Sequence, residues 1–293
     1  MNKLLLIGAG LGLLITVGLL SSGSGSMFPA AIPPVSAPIS VPDDGAAEPK
    51  RNEQGERLLQ SITLPDEENG AAAQIDLLLE QGATGEPLRW SLRKGEAVLA
   101  VLEQPDDGVY GAGASLETKD LDGDGRLEVL VYRYNTGTSG AVGLTAFQTG
   151  VVWKPIFAVD NPFDYAASDS PEDRFRVTPT GGFKAQLTDV QSGLTAMLPL
   201  DPKTYEGMDE QDLQKWLNHI GTWVDPMIEY TITDLDQDGK QEIVTKQPVI
   251  GFSHPDWIGF IEFTFGLGED GVYEPVKEAF YDKDHELLKS MDL

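Results

Sequence analysis

Asp120-Leu121-Asp122-Gly123-Asp124-Gly125-Arg126-Leu127-Glu128 is the stretch from which the rest of the chain is read. Carboxylates recur at alternate positions 120, 122 and 124, so a curled loop brings three of them around one point. Calcium, a hard cation that takes roughly 6–8 oxygen ligands, suits such a loop. Gly125 fits the sharp turn after the third carboxylate. The Arg126 carbonyl and the Glu128 carboxylate are candidates to complete the shell. The same spacing returns as Asp234-Leu235-Asp236-Gln237-Asp238-Gly239-Lys240-Gln241-Glu242, an offset of 114 residues (234 minus 120). There the candidate ligands are Asp234, Asp236, Asp238, the carbonyl of Lys240, and Glu242. Asp and Gly form plain turns too, but two matched copies, each followed by an apolar run, point to metal ligation.

An EF-hand requires a bidentate Glu at its twelfth position and a helix after it. The twelfth residues here are Val131 and Thr245. Leu127 to Tyr134 and Glu242 to Thr245 are rich in β-branched and aromatic residues, which predicts strands. An acid at the ninth position with a strand behind it resembles the calcium loops of FG-GAP and VCBS-type repeats. That resemblance implies ligand roles for Asp120, Asp122, Asp124 and Glu128, and for Asp234, Asp236, Asp238 and Glu242. It covers about ten residues per loop and the strand that follows. A propeller needs at least about four blades, and two loops do not imply a complete one.

The chain has 293 residues, 47 acids against 21 bases, a formal charge of −26 and no cysteine. Such a surface repels nucleic acid and anionic lipid and attracts cations. The lack of cysteine excludes disulfides, thiolate catalysis and cysteine-based zinc sites. Lys3, the uncharged apolar run Leu4–Leu20 and the Ser/Gly tract 21–26 read as a secretory signal or an N-terminal anchor over residues 1–26. Either sends the chain out of the cytoplasm, and membrane contact is expected through this segment alone. Residues 27–56, with Pro29, Pro33, Pro34, Pro38 and Pro42, read as a Pro/Ala/Ser-rich spacer.

Beyond the spacer the expected units are a first β-rich repeat over 57–166, a connecting segment over 167–222, and a second repeat over 223–293. The face Ala71, Ala72, Ile75, Leu78 and Leu79 predicts a helix over 71–81, with Gly82 as its stop. Strands are expected at 88–92, 97–102, 115–118, 144–147 and 151–156. In the second half they are expected at 228–232, 258–265 and 272–276, the last being the final strand. Val-Trp-Lys-Pro-Ile at 152–156 and Val-Tyr-Glu-Pro-Val at 272–276 match by residue type, which extends the repeat beyond the metal loop. The order resembles that of small exported VCBS-like proteins of Gram-positive bacteria. The connecting segment reads as a hairpin around Gly181-Gly182, a strand near 196–200, and a helix over 210–220 capped by Asp209, with Trp216 in the core. Leu287, Leu288 and Met291 form a short amphipathic end.

No catalytic residue is assigned. Ser139 lacks the Gly-x-Ser-x-Gly context of a hydrolase elbow. His219, His254 and His285 form no His-Glu-x-x-His pair. His254 falls in the loop equivalent to 136–140 and needs an acid or nucleophile within reach to act. The fold class expected is mainly β, with α+β as the variant, carrying one or two short helices. The function expected is an exported calcium-stabilised module that binds a cell-envelope component or surface protein. The alternatives are an exported hydrolase of wall or polysaccharide material and an inert structural domain.

Overall fold

The computed structural model describes residues 51–52, 54–65, 71–106, 108–167, 170, 172–220, 223–251 and 253–293, with 216–220 described by their backbone only. The segment expected at 1–26 and, of the spacer expected at 27–56, residues 27–50 and 53 lie outside these, as do the side chains of Trp216 and His219. No helix among the described residues is long and apolar enough to cross a membrane.

Among the described residues sixteen strands make four antiparallel sheets, and each of these strands pairs with its neighbours in sequence. The first sheet holds β1 (Arg57–Pro65), β2 (Ala72–Gln81), β3 (Pro87–Lys94) and β4 (Ala97–Glu103). The second holds β5 (Ala114–Lys119), β6 (Glu128–Tyr134), β7 (Val142–Gln148) and β8 (Lys154–Ala158). The third holds β9 (Phe175–Pro179), β10 (Lys184–Asp189) and β11 (Thr195–Pro199). Helix α1 (Glu210–Ile220) follows, with the Asp212 N–H donating to Asp209 Oδ1 at 2.8 Å. The fourth sheet holds β12 (Glu229–Thr233), β13 (Glu242–Ile250), β14 (Trp257–Leu267), β15 (Tyr273–Asp282) and β16 (Leu287–Asp292). The fold is mainly β, and the sheets do not close into a propeller.

Two cores hold the sheets together, and the second sheet contributes to both. Its β6 alternates: Leu130 joins Leu144, Ala146 and Phe157 in the larger core, shared with the third and fourth sheets. Val129 and Val131 join Trp90, Leu92 and Leu77 in the smaller core, shared with the first sheet. Period-two alternation in a strand gives one side chain to each face in turn, and here both faces are apolar because both are covered. Phe157 crosses from β8 to meet Phe265 at 5.1 Å and Tyr273 at 6.3 Å between ring centroids. Beneath the first sheet, the buried Arg133 guanidinium lies 4.5 Å from the Tyr110 ring and pairs with Asp160 at 3.1 Å.

Three expectations are corrected. Residues 72–81 are not a helix but the strand β2, paired with β1 and β3. Ile75, Leu77 and Leu79, at steps of two, fill one core while Leu78 faces the other way and is also buried. Burial of Ile75, Leu77 and Leu79 on one face, together with pairing to a strand on either side, outweighs the helical propensity of Ala, Leu, Gln and Glu. The strand expected at 151–156 begins at Lys154, because Val151 and Val152 stand in the exposed turn before it. The strand at 272–276 is not the last: β15 runs on to Asp282 and pairs with β16, which absorbs Leu287, Leu288 and Met291.

Candidate metal centre

The two acidic loops occupy the same place in two sheets: β5 to β6 in the second, β12 to β13 in the fourth. In each sheet a strand, the loop, a strand, a hairpin and two further strands follow in that order. Each loop is wound by its own backbone. The ninth-position Glu reaches back to the second residue: the Leu121 N–H donates to Glu128 Oε2 at 2.7 Å, and the Leu235 N–H to Glu242 Oε2 at 2.7 Å. The first Asp accepts from the glycine that closes the turn, Gly125 to Asp120 at 2.9 Å and Gly239 to Asp234 at 3.1 Å. The Asp124 N–H donates to Asp122 and the Asp238 N–H to Asp236, each at 3.1 Å. Position 123 and its counterpart 237 both take left-handed backbone, with φ of +75° at Gly123 and +64° at Gln237. Gln adopts that conformation only with strain.

This winding brings three carboxylates of each loop together. Oxygens of Asp120, Asp122 and Glu128 lie within 4.8 Å of one another, and so do those of Asp234, Asp236 and Glu242. Calcium–oxygen distances of about 2.3–2.6 Å put ligands on opposite sides of one ion roughly 5 Å apart, so either triad can hold one divalent cation. Asp124 and Asp238 stand outside the triads. Asp124 accepts the Arg126 N–H at 2.8 Å and pairs with the Arg126 guanidinium at 2.9 Å; Asp238 accepts the Lys240 N–H at 2.8 Å. The Arg126 backbone hydrogen bond is the main cause that lowers the Asp124 carboxyl below its usual range.

The two triads differ in what they leave unbalanced. Glu128 is 1% exposed, and burial, reinforced by the charges of Asp122, Asp124 and Asp120, pushes its carboxyl up to about 7. The hydrogen bond from Leu121 opposes this rise without cancelling it. In the second loop, Asp234 Oδ1 is buried with no hydrogen-bond partner, whereas Asp120 Oδ1 accepts the Gly123 N–H at 2.8 Å. An unsatisfied buried carboxylate oxygen is what a cation site leaves when only protein atoms are counted.

The loops also touch, which the sequence did not announce. The Gln241 N–H donates to the Leu121 carbonyl at 2.8 Å. The Tyr273 hydroxyl is shared between the carbonyls of Gln241, at 2.7 Å, and Leu121, at 3.2 Å. Lys119 Nζ reaches the Ile232 carbonyl at 2.6 Å. A Cβ on Gly123 would stand 2.6 Å from the Gly239 carbonyl oxygen, so position 123 needs glycine for close approach as well as for its backbone angle. The contact is asymmetric: Leu121 is fully buried in the larger core, whereas its counterpart Leu235 is 56% exposed.

His254 lies apart from the loops. Its Nδ1 is 3.0 Å from Oδ2 of buried Asp225, and its ring packs edge-on against Trp223 at 4.5 Å. Nothing in the local sequence signals Asp225, 29 residues away, as its partner.

The family model of the YybI C-terminal domain matches residues 174–281, a little over a third of the chain. The matched stretch runs from the start of the third sheet through β15 and contains the second acidic loop but not the first. No curated protein and no solved structure matches the chain. This chain is thus a mainly β protein with two acidic clusters fit for a divalent cation, similar over its third and fourth sheets to the YybI C-terminal domain.

Proposed function

We propose that the chain is a calcium-stabilised binding module working outside the cytoplasm, related to the FG-GAP and VCBS-type loop proteins. The observation that carries this reading is the pair of carboxylate triads, each gathered within 4.8 Å by the same backbone winding. Asp120, Asp122 and Glu128 would hold one ion, and Asp234, Asp236 and Glu242 the other. Asp124, Asp238 and the carbonyls of Arg126 and Lys240 would join only if the loops tighten around the ion. A bound ion would offset the burial and carboxylate repulsion that raise the Glu128 carboxyl, and would satisfy Asp234 Oδ1. It stabilises the fold because the unfolded chain has no such sites.

The N-terminal apolar run and the proline-rich spacer support a signal or anchor followed by a stalk. The matched order of strands in the second and fourth sheets supports descent from two repeats. A cell-envelope component or surface protein is the partner class in keeping with that location. A second reading, an exported hydrolase, draws on the Asp225–His254 pair, which orients the imidazole as a general base requires.

Thermal unfolding of the folded region decides the cation reading. Millimolar-scale calcium should raise the midpoint over chelator, and magnesium should do less, since it demands a tighter octahedron. A midpoint indifferent to calcium refutes the reading. Turnover of a polysaccharide or peptidoglycan panel that is lost on His254→Gln would favour the second.

A further inference from the structure

The third sheet docks on the fourth through a buried carboxyl pair that the cation loops do not use. Asp189 ends β10 and Glu278 lies in the middle of β15; both are fully buried. Their surroundings differ sharply. Asp189 Oδ2 receives Nε of Arg174 at 2.7 Å and a second guanidinium nitrogen at 2.6 Å. Its Oδ1 receives the N–H of Gln191 at 2.7 Å and that of Ser192 at 3.3 Å. Four donors converge on one carboxylate, which is the environment of an anion. Glu278, beside it, has neither oxygen in hydrogen-bond geometry with any donor among the described residues. A second carboxylate buried beside one that already takes the guanidinium and the turn amides is strongly disfavoured, and the neutral acid is favoured in its place.

The charges therefore close as one guanidinium, one carboxylate and one neutral acid. The groups facing Glu278 are Asp189 from β10, the Ser192 hydroxyl from the β10–β11 turn, and Arg174 from the segment before β9. Its partners across the fourth sheet, Phe263 on β14 and Met291 on β16, carry no charge. The rest of this junction is apolar. Phe175 meets Phe263 at 6.3 Å, the Arg174 guanidinium sits 4.5 Å from the Phe263 ring, and the Leu198 side chain fills the space over Gly259.

We propose that Glu278, Asp189 and Arg174 form a proton-operated latch, which holds the third sheet against the fourth while Glu278 is neutral and loosens it when Glu278 ionises. Ionisation puts two buried carboxylates side by side with one guanidinium, already bound to Asp189, to balance both. Burial, with the neighbouring Asp189 adding to it, pushes the Glu278 carboxyl up to about 7, while Asp189 is held below its usual range, against its own burial, by Arg174, the Gln191 N–H and the Glu278 carboxyl. The sign follows. A carboxyl raised in the closed state contributes its stability at low pH. It loses that stability as pH climbs from the ordinary Glu range through the closed-state value, and the loss levels off above it. The latch thus weakens across neutrality, where ordinary carboxylates no longer titrate.

Amide hydrogen exchange on the whole protein tests this at pH 6 and pH 8, corrected for intrinsic exchange rates, in chelator and again in calcium. The β9–β11 amides should open about tenfold more at pH 8 than at pH 6, while those of β6 and β7 serve as internal reference. Glu278→Gln, which cannot ionise, should abolish that rise. Glu278→Met, which removes the polar atoms at similar volume, should abolish it as well, so either variant suffices if the other does not fold. Absence of the rise in the natural chain, or its persistence in a folded variant, overturns the proposal. Because the readout is confined to the third sheet and is taken with and without calcium, failure of the cation reading would leave it standing.

Discussion

Gly123→Ala isolates the contact between the two acidic loops, because the same loop supplies its own control. Gly123 and Gly125 are both left-handed, at φ of +75° and +86°. A methyl group at 125 meets nothing within 4 Å, while at 123 it would lie 2.6 Å from the Gly239 carbonyl oxygen and 3.3 Å from its carbon. Gly125→Ala should therefore show the backbone penalty alone, about 1 kcal/mol. Gly123→Ala adds the need to push one loop off the other, an overpacking penalty of roughly 1–3 kcal/mol. It also stretches the Gln241–Leu121 hydrogen bond and the shared Tyr273 hydroxyl, with a loss of roughly 0.5–1.5 kcal/mol. The total is about 4 kcal/mol against about 1. At roughly 2–4 °C per kcal/mol for a body of this size, the expected fall is about 8–16 °C for Gly123→Ala and about 2–4 °C for Gly125→Ala. Thermal unfolding followed by circular dichroism, in chelator so that ion binding does not enter, measures both. Equal losses would show that the loops do not depend on their mutual contact.

Other outcomes follow from the same asymmetry. Leu121→Ala should cost roughly 2–5 kcal/mol by urea unfolding and Leu235→Ala less than about 0.5, since only the first is buried; similar values would contradict the core assignment. Asp122→Ala should remove more calcium-dependent stability than Asp236→Ala, because the first loop is the more enclosed and has glycine where the second strains Gln237; calorimetric titration with the order reversed would show that enclosure does not set affinity. The Glu128 carboxyl, raised to about 7, makes the cation-free protein lose stability as pH rises from the ordinary Glu range to about 7. Saturating calcium should flatten that part of the profile by taking the place of the proton, and midpoint-against-pH curves that stay parallel with and without calcium would exclude Glu128 as a ligand.

The acidic loops were legible because their information is local: alternate acids, a glycine and a β-branched run lie within nine residues. Strands flanked by clear turns, such as β3 and β4 around Gly95, were legible for the same reason. Strand β2 was not, since Ala72, Ile75, Leu78 and Leu79 satisfy a helical stripe as well as a strand with one buried face and Leu78 on the other. Only the pairing with β1 and β3 chooses between them. The role of Gly123 was half visible. Its backbone freedom could be read from the loop, but the Gly239 carbonyl that crowds it comes from the other half of the chain. Asp189 and Glu278 left no trace at all, because a single acid in a strand reads as a solvent-facing residue until another sheet covers it. Asp225 stayed hidden behind the same long separation from His254.

Strand pairing restricted to sequence neighbours has a consequence for the order in which the molecule is made. Each sheet is a chain of hairpins whose contacts span short loops, so each pays little closure entropy and can form within microseconds to milliseconds once its own strands are available. What remains slow is the docking of one finished sheet on another. The second sheet, walled on both faces, stays partly wet until the first sheet and the fourth have both arrived, and its amides are the last to acquire full protection.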